Sequence, residues 1–292
     1  MVNMTKFNQT KAGKAFDVFN LVFFAVLGLI MLFPIVFVLV GSFSSSGLVQ
    51  FRFGKFTTEA YSIMLQSSRT MTSILNSVII TIGGTFLSIS VTTMTSYALS
   101  KPSLPGRRLM IACVTFFMLF NVGLIPEYIL IANKLHMKNT YWAMWLPGLI
   151  SSSNLIIMLN FFRALPASIE ESACIDGCNE TQSFFYIALP MSKASIATFS
   201  LFYAVGYWNN YLNAIIYIDN TNLWPVTVWL RQFIILSQGS ILEEVSGVTR
   251  AWMPSTAVKY ATIIVSTVPI VCIYPFLQKY FAKGVLMGSI KG

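Results

Sequence analysis

The chain has 292 residues, 55% hydrophobic and 10% charged, with a mean hydropathy of +0.70 and a formal net charge of +9. An average soluble domain is about 25% charged, so this composition excludes a surface that faces water throughout. The basic residues flank apolar runs instead of alternating with aromatics, which excludes a nucleic-acid path and fits the orienting charge of a membrane protein.

A helix needs roughly 20 apolar residues to cross a bilayer core, and six stretches qualify, at about 18–41, 73–99, 108–132, 141–162, 191–217 and 258–281. The first follows Lys6, Lys11 and Lys14 and is too long for a signal-peptide core, so it reads as an uncleaved anchor. The second is rich in Gly, Ser and Thr, which let helices approach closely in lipid, so it is expected inside the bundle. The third carries Pro126 and Glu127 near its far end, where a breaking helix would place the charge at the interface. The fourth opens on a belt of Tyr141, Trp142 and Trp145. Basic residues favour the side that holds both termini, so both are expected in the cytoplasm. Segments at about 42–72 and 218–257 then lie outside, the second with a short surface helix over 226–238. No internal repeat or linker appears, so 1–292 reads as a single permease domain.

Metal chemistry has little support. Cys113 and Cys272 sit in apolar runs, Cys174 and Cys178 lack further ligands, and the single histidine, His136, falls in a short outer loop.

The stretch 163–190, RALPASIEESACIDGCNETQSFFYIALP, holds Glu170, Glu171, Asp176 and Glu180 and cannot sit in hydrocarbon. Its partly apolar face predicts a helix, a turn at Gly177 and a second short helix. A short amphipathic helix needs a surface to bury against. Helices that lie on anionic lipid carry Lys and Arg, so this acidic one favours a basic partner protein.

Glu171-Ser172-Ala173, Gly177 and Ile187-Ala188-Leu189-Pro190 resemble the EAA loop of bacterial ABC importer permeases, with every spacing met and Ser172 in place of the first alanine. FNVGLIPEYIL, LFYAVGYWNNYLNAIIYI and YPFLQKYFAKGVLMGSIKG extend the resemblance to the maltose-type carbohydrate permeases. Within these, the second (MalG-like) subunit and its LplC/YtcP-like oligosaccharide branch are the nearest in pattern. The resemblance implies an all-α polytopic fold of the type I importer class in the bacterial cytoplasmic membrane. It also implies a homologous second permease, two ATPase subunits and an extracytoplasmic solute-binding protein. The substrate is then a sugar, expected to be an oligosaccharide from a complex polysaccharide. Residues 168–182 would include the coupling helix, with Glu171, Ser172, Ala173, Asp176, Gly177, Leu189 and Pro190 serving ATPase coupling.

No G-x-x-x-x-G-K-[ST] sequence occurs, so ATP and Mg are expected on the partner ATPases and no cofactor or enzymatic activity on this chain. In the fifth stretch Tyr207, Asn210 and Tyr211 share a side if the helix is continuous. They offer aromatic faces and an amide to a sugar, or equally a packing seam between helices. The rival readings are an ion-coupled transporter, a membrane enzyme and an ABC permease for a non-sugar solute. The first lacks paired intramembrane carboxylates, and the second lacks a His-containing cluster.

Overall fold

The computed structural model describes residues 11–45, 54–120, 122–175, 177–238 and 256–288. The chain divides into two units, 1–64 with 237–265 and 65–236 with 266–292.

In the first unit α1 (Lys11–Ser42) is almost wholly apolar and shows no buried face across its span. A helix apolar all round and unburied needs lipid or another chain as its solvent. Its far end is held by Ser42, whose hydroxyl lies 2.7 Å from that of Tyr61 in α2 (Glu59–Gln66).

The second unit is organised on α3 (Ser68–Ser100), which buries Ser73, Ser77, Thr81, Gly84, Ser88, Thr92 and Ser96 along one stripe. The small-residue stretch therefore lies inside, as its composition requires. Against it pack α7 (Ser152–Arg163) and α11 (Lys193–Trp208).

The third, fourth and fifth apolar stretches are not single helices. The third divides at Gly123 into α4 (Arg107–Leu119) and α5 (Leu124–Tyr128), the latter running on as a π-helix (Ile129–Lys134), with a bend of 116°. The fourth is α6 (Tyr141–Trp145) and α7, separated around Pro147 and Gly148. The fifth is α11 and α12 (Tyr211–Tyr217), separated at Asn209 and Asn210. By length and hydropathy, 2 described helices are long and apolar enough to cross a bilayer, or up to 4 if two bent pairs, Arg107–Leu119 with Leu124–Lys134 and Glu180–Met191 with Lys193–Trp208, each count as one span.

Breaks at membrane depth strand backbone carbonyls, each costing several kcal/mol in hydrocarbon, unless neighbours satisfy them. The α6–α7 break is served from the seam of α3 and α11. Tyr207 donates its hydroxyl to the carbonyl of Trp145 at 3.0 Å, and Ser88 Oγ lies 2.8 Å from that hydroxyl and 3.4 Å from the Gly148 carbonyl. Tyr203 accepts from the Ser151 amide at 3.2 Å and pairs with Thr92 at 2.7 Å. Ser96 donates to the Leu155 carbonyl at 3.1 Å. An interhelical side-chain bond in lipid contributes only about 0.6 kcal/mol. The weight of these residues therefore lies in making the break tolerable.

The helix expected over 226–238 is present as α13 (Val226–Gln238), with Val226 and Val228 buried. A turn of 3-10 helix (Thr221–Leu223) precedes it. Asn76 on α3 donates to the carbonyls of Asn222 and Trp224 at 2.8 and 3.2 Å, and Ser77 accepts from the Val226 amide at 2.8 Å. The 135–140 loop joins the same region. Asn139, at φ 60, accepts from the Asp219 and Asn220 amides at 2.6 and 3.0 Å, beside the Lys138–Asp219 ion pair at 2.7 Å. His136 is exposed in that loop. The last described helix, α14 (Thr256–Gly288), covers the expected sixth stretch.

Candidate functional site

Residues 163–190 form the helix–turn–helix expected from the sequence. First comes α8 (Ala167–Ile175). It stops at Gly177, whose φ of +82 is a left-handed conformation that a Cβ disfavours. The amide of Cys178 reaches back to the Ala173 carbonyl at 3.0 Å, the long bond of a Schellman stop with Gly177 at its left-handed position. Two residues later Asn179 and Gln182 form a reciprocal capping box at 2.8 and 2.9 Å, which starts α9 (Glu180–Ser183). A π-helix (Phe184–Ala188) and α10 (Leu189–Met191) carry the chain to α11.

This segment faces two ways. Inward, Phe184 and Ala188 are buried among Tyr97, Met158, Phe162 and Phe199, with Leu189 packed at the edge. Tyr97 donates to Ser183 at 3.3 Å, and its ring lies 5.0 Å from that of Phe184 and 5.5 Å from that of Phe162. Lys101 sits over the same ring at 4.4 Å. Outward, Ile175 is 86% and Tyr186 77% exposed. Exposed apolar side chains of this size form a surface that a protein partner can cover.

Of the predicted coupling residues, Ala173 is buried and Gly177 makes the turn. Leu189 belongs to the inner cluster, and Pro190 is exposed in the first turn of α10. Ser172 is exposed and donates to the Ser168 carbonyl at 2.8 Å, so the serine in place of alanine is satisfied by its own helix. Glu171 lies within α8. Asp176 lies outside the described residues.

The suggested sugar-path residues are not on one helical face. Because α11 ends at Trp208, Asn210 is the N-cap of α12 and accepts from the Asn213 amide at 3.3 Å. Tyr207 is buried, its hydroxyl engaged at the α6–α7 break and its ring set against Gly84 and Gly148 of facing segments. Tyr211 follows the break with the Arg231 guanidinium 4.8 Å over its ring, and its buried hydroxyl has no partner among the described residues. Tyr207 thus packs at the seam between helices. Among the described residues no group of three metal-ligating side chains occurs.

A short helix–turn–helix between apolar helices is the arrangement that the family resemblance implies for residues 163–190. Comparison with known proteins decides the family. The chain is 44% identical to "Protein LplC" of Bacillus subtilis (strain 168), over 100% of both chains. It is 41% identical to the "Polygalacturonan/rhamnogalacturonan transport system permease protein YtcP" of the same organism, over 96% of this chain and 99% of that one. This chain belongs to the carbohydrate ABC transporter permeases. The permease fold matches a crystal structure of a bacterial ABC transporter involved in import of the acidic polysaccharide alginate, with a TM-score of 0.83 and 28% identity. That match covers 95% of this chain and 100% of the other. No protein-family model matches the chain. The secondary-transporter and membrane-enzyme readings give way to the permease family.

The sequence reading missed the seam formed by Ser88, Thr92, Tyr203 and Tyr207 at the α6–α7 break. Its signal was Pro147-Gly148 in an apolar run, which marks a break that hydroxyls elsewhere must serve.

Proposed function

We propose that the chain is the second permease of a heterodimeric importer that brings an oligosaccharide across the cytoplasmic membrane, with both termini in the cytoplasm. A solute-binding protein delivers the sugar, and two partner ATPases bind ATP and Mg and hydrolyse the nucleotide. The subunit converts closure of the ATPases into motion of its own helices. Binding of ATP to the closed ATPase dimer shifts the permease pair to the outward state. Rocking of the two permeases then alternates access to the sugar.

The observation that carries this reading is the two-faced segment α8–α10. A Schellman stop and a capping box give it fixed shape, Phe184 and Ala188 lock it into the cluster around Tyr97, and its other face is left uncovered. In this role Glu171 meets a basic residue of the ATPase, Ala173 keeps α8 close, and Ser172 and Asp176 border the contact. Leu189 and Pro190 fix the entry to α11. The oligosaccharide substrate draws support from a relative named for polygalacturonan/rhamnogalacturonan transport and from the structure of a transporter involved in import of the acidic polysaccharide alginate.

The test is co-purification from the native host on a tag carried by this chain, with wild type and Glu171→Ala side by side. A second permease and an ATPase accompany the wild type. The variant reaches the membrane in equal amount, keeps the second permease and loses most of the ATPase. Equal recovery of the ATPase with both chains, or recovery of the wild-type chain alone and active without ATP, contradicts the docking role.

A further inference from the structure

Arg231 lies on α13, the helix whose start is held against α3. The Val226 amide donates to Ser77 Oγ at 2.8 Å, and Trp229 Nε1 donates to Thr70 Oγ1 at 3.1 Å. The Arg231 guanidinium lies 4.8 Å over the ring of Tyr211, the residue that opens α12 just past the break at Asn209 and Asn210. Tyr211 in turn packs against the buried cluster of Ile80, Tyr207, Ala214 and Val228. The Arg231 side chain is exposed, and no carboxylate comes within ion-pair distance of it among the described residues.

The ring contact restrains the guanidinium but uses none of its five N–H donors. A carboxylate accepts two of them at once, and such charged bonds are roughly twice as strong as those to a neutral hydroxyl. Two hydroxyls in the same region are also left over. Those of Tyr211 and of Thr227, one turn before Arg231 on the same side of α13, are buried without a partner among the described residues. Buried hydroxyls are normally paired, and discontinuous helices of transporters commonly line the transported solute. A carboxylate on a binding protein would suit the guanidinium alone. A sugar acid brings a carboxylate and hydroxyls together, which suits the arginine, the two orphan hydroxyls and the helix break.

We propose that Arg231, restrained over Tyr211 at the α11–α12 break, is the residue by which this subunit holds a carboxylate on its sugar, so that the oligosaccharide carried contains uronate units. This rests on the reading of the chain as a sugar permease and specifies the class of sugar and the residue that selects it.

The test is saturation-transfer NMR on the purified complex of permeases and ATPases, free of binding protein so that the signal comes from the membrane subunits. The probes are digalacturonate and its dimethyl ester, which keeps the rings and hydroxyls and loses the charge. Wild type binds the acid more tightly than the ester. Arg231→Gln lowers affinity for the acid by about tenfold and leaves that for the ester unchanged. Arg231→Lys, which keeps the charge without the planar fork, lowers it by about threefold. A wild type that favours the ester, or binds neither probe, overturns the proposal. So does an Arg231→Gln complex that loses both probes alike or neither, and loss of neither with weaker docking of the binding protein assigns Arg231 to a protein carboxylate instead. Should Arg231→Gln fail to assemble, Arg231→Lys decides, and an equal change for acid and ester, or no change, overturns the assignment. ATP-driven uptake by the wild-type complex with its binding protein is measured in parallel. Its absence strikes the importer reading, whereas intact uptake with no effect of Arg231 on the acid strikes only this assignment.

Discussion

Tyr207 packs its ring and its hydroxyl against different neighbours. Its ring rests on α3 where a Cβ at Gly84 would fall 2.7 Å from ring carbons, a distance that real contacts do not reach. Glycine is required there for approach, not for its backbone angle. Gly84→Ala should therefore cost about 1–3 kcal/mol through overpacking, read as a lower unfolding temperature of the purified complex. Tyr207→Phe keeps the ring and removes the bonds to Ser88 and the Trp145 carbonyl. It should cost about 1 kcal/mol with little change in which sugar is carried. A changed sugar preference at unchanged stability would return Tyr207 to the sugar path. Gly177 differs, because open space surrounds it and its φ is +82. Gly177→Ala should cost about 1–2 kcal/mol from backbone strain alone, and Gly177→Asn less, since asparagine tolerates that region. The Lys138–Asp219 pair is exposed, and its hydrogen bond raises the lysine above its ordinary 10.5. The pair's contribution is thus present below that value and disappears as pH rises through the higher folded one. Neutral-pH stability should depend more on Asn139, which holds two loop amides, than on Lys138.

At the scale of elements, the helix–turn–helix of the 163–190 segment was legible because the signals that stop and start its helices are local. Gly177 ends α8 and the Asn179–Gln182 pair starts α9, within a few residues of each other. The long apolar helices α1 and α3 were legible for the same reason, since length and hydropathy are properties of the run itself. The breaks in the third, fourth and fifth stretches were not. A broken helix in lipid is permitted by partners far along the chain, as Ser88 and Tyr207 are to the α6–α7 break. The co-facial placement of Tyr207, Asn210 and Tyr211 failed with the continuity it assumed. The cluster of Tyr97, Phe162 and Phe184 is the element that ties the 163–190 segment to α3 and α7. Phe184→Ala removes a buried ring from this tie and should cost about 3–5 kcal/mol. Uptake should fall more than assembly with the second permease, as compared by transport assay and co-purification.

For the whole molecule, composition announces a membrane protein, α1 offers an apolar surface with no buried face, and the acidic segment offers a docking surface. An unburied apolar helix needs lipid or another chain around it, and in the proposed function the acidic segment meets an ATPase. The central claim is that sugar movement through this subunit is driven by ATP through α8. Its most direct test is uptake of the oligosaccharide held by the binding protein into proteoliposomes of the whole complex, with ATP sealed on the ATPase side. The account predicts accumulation that requires ATP, survives an uncoupler, and falls by about tenfold or more in Glu171→Ala. Accumulation without ATP that an uncoupler abolishes would contradict it.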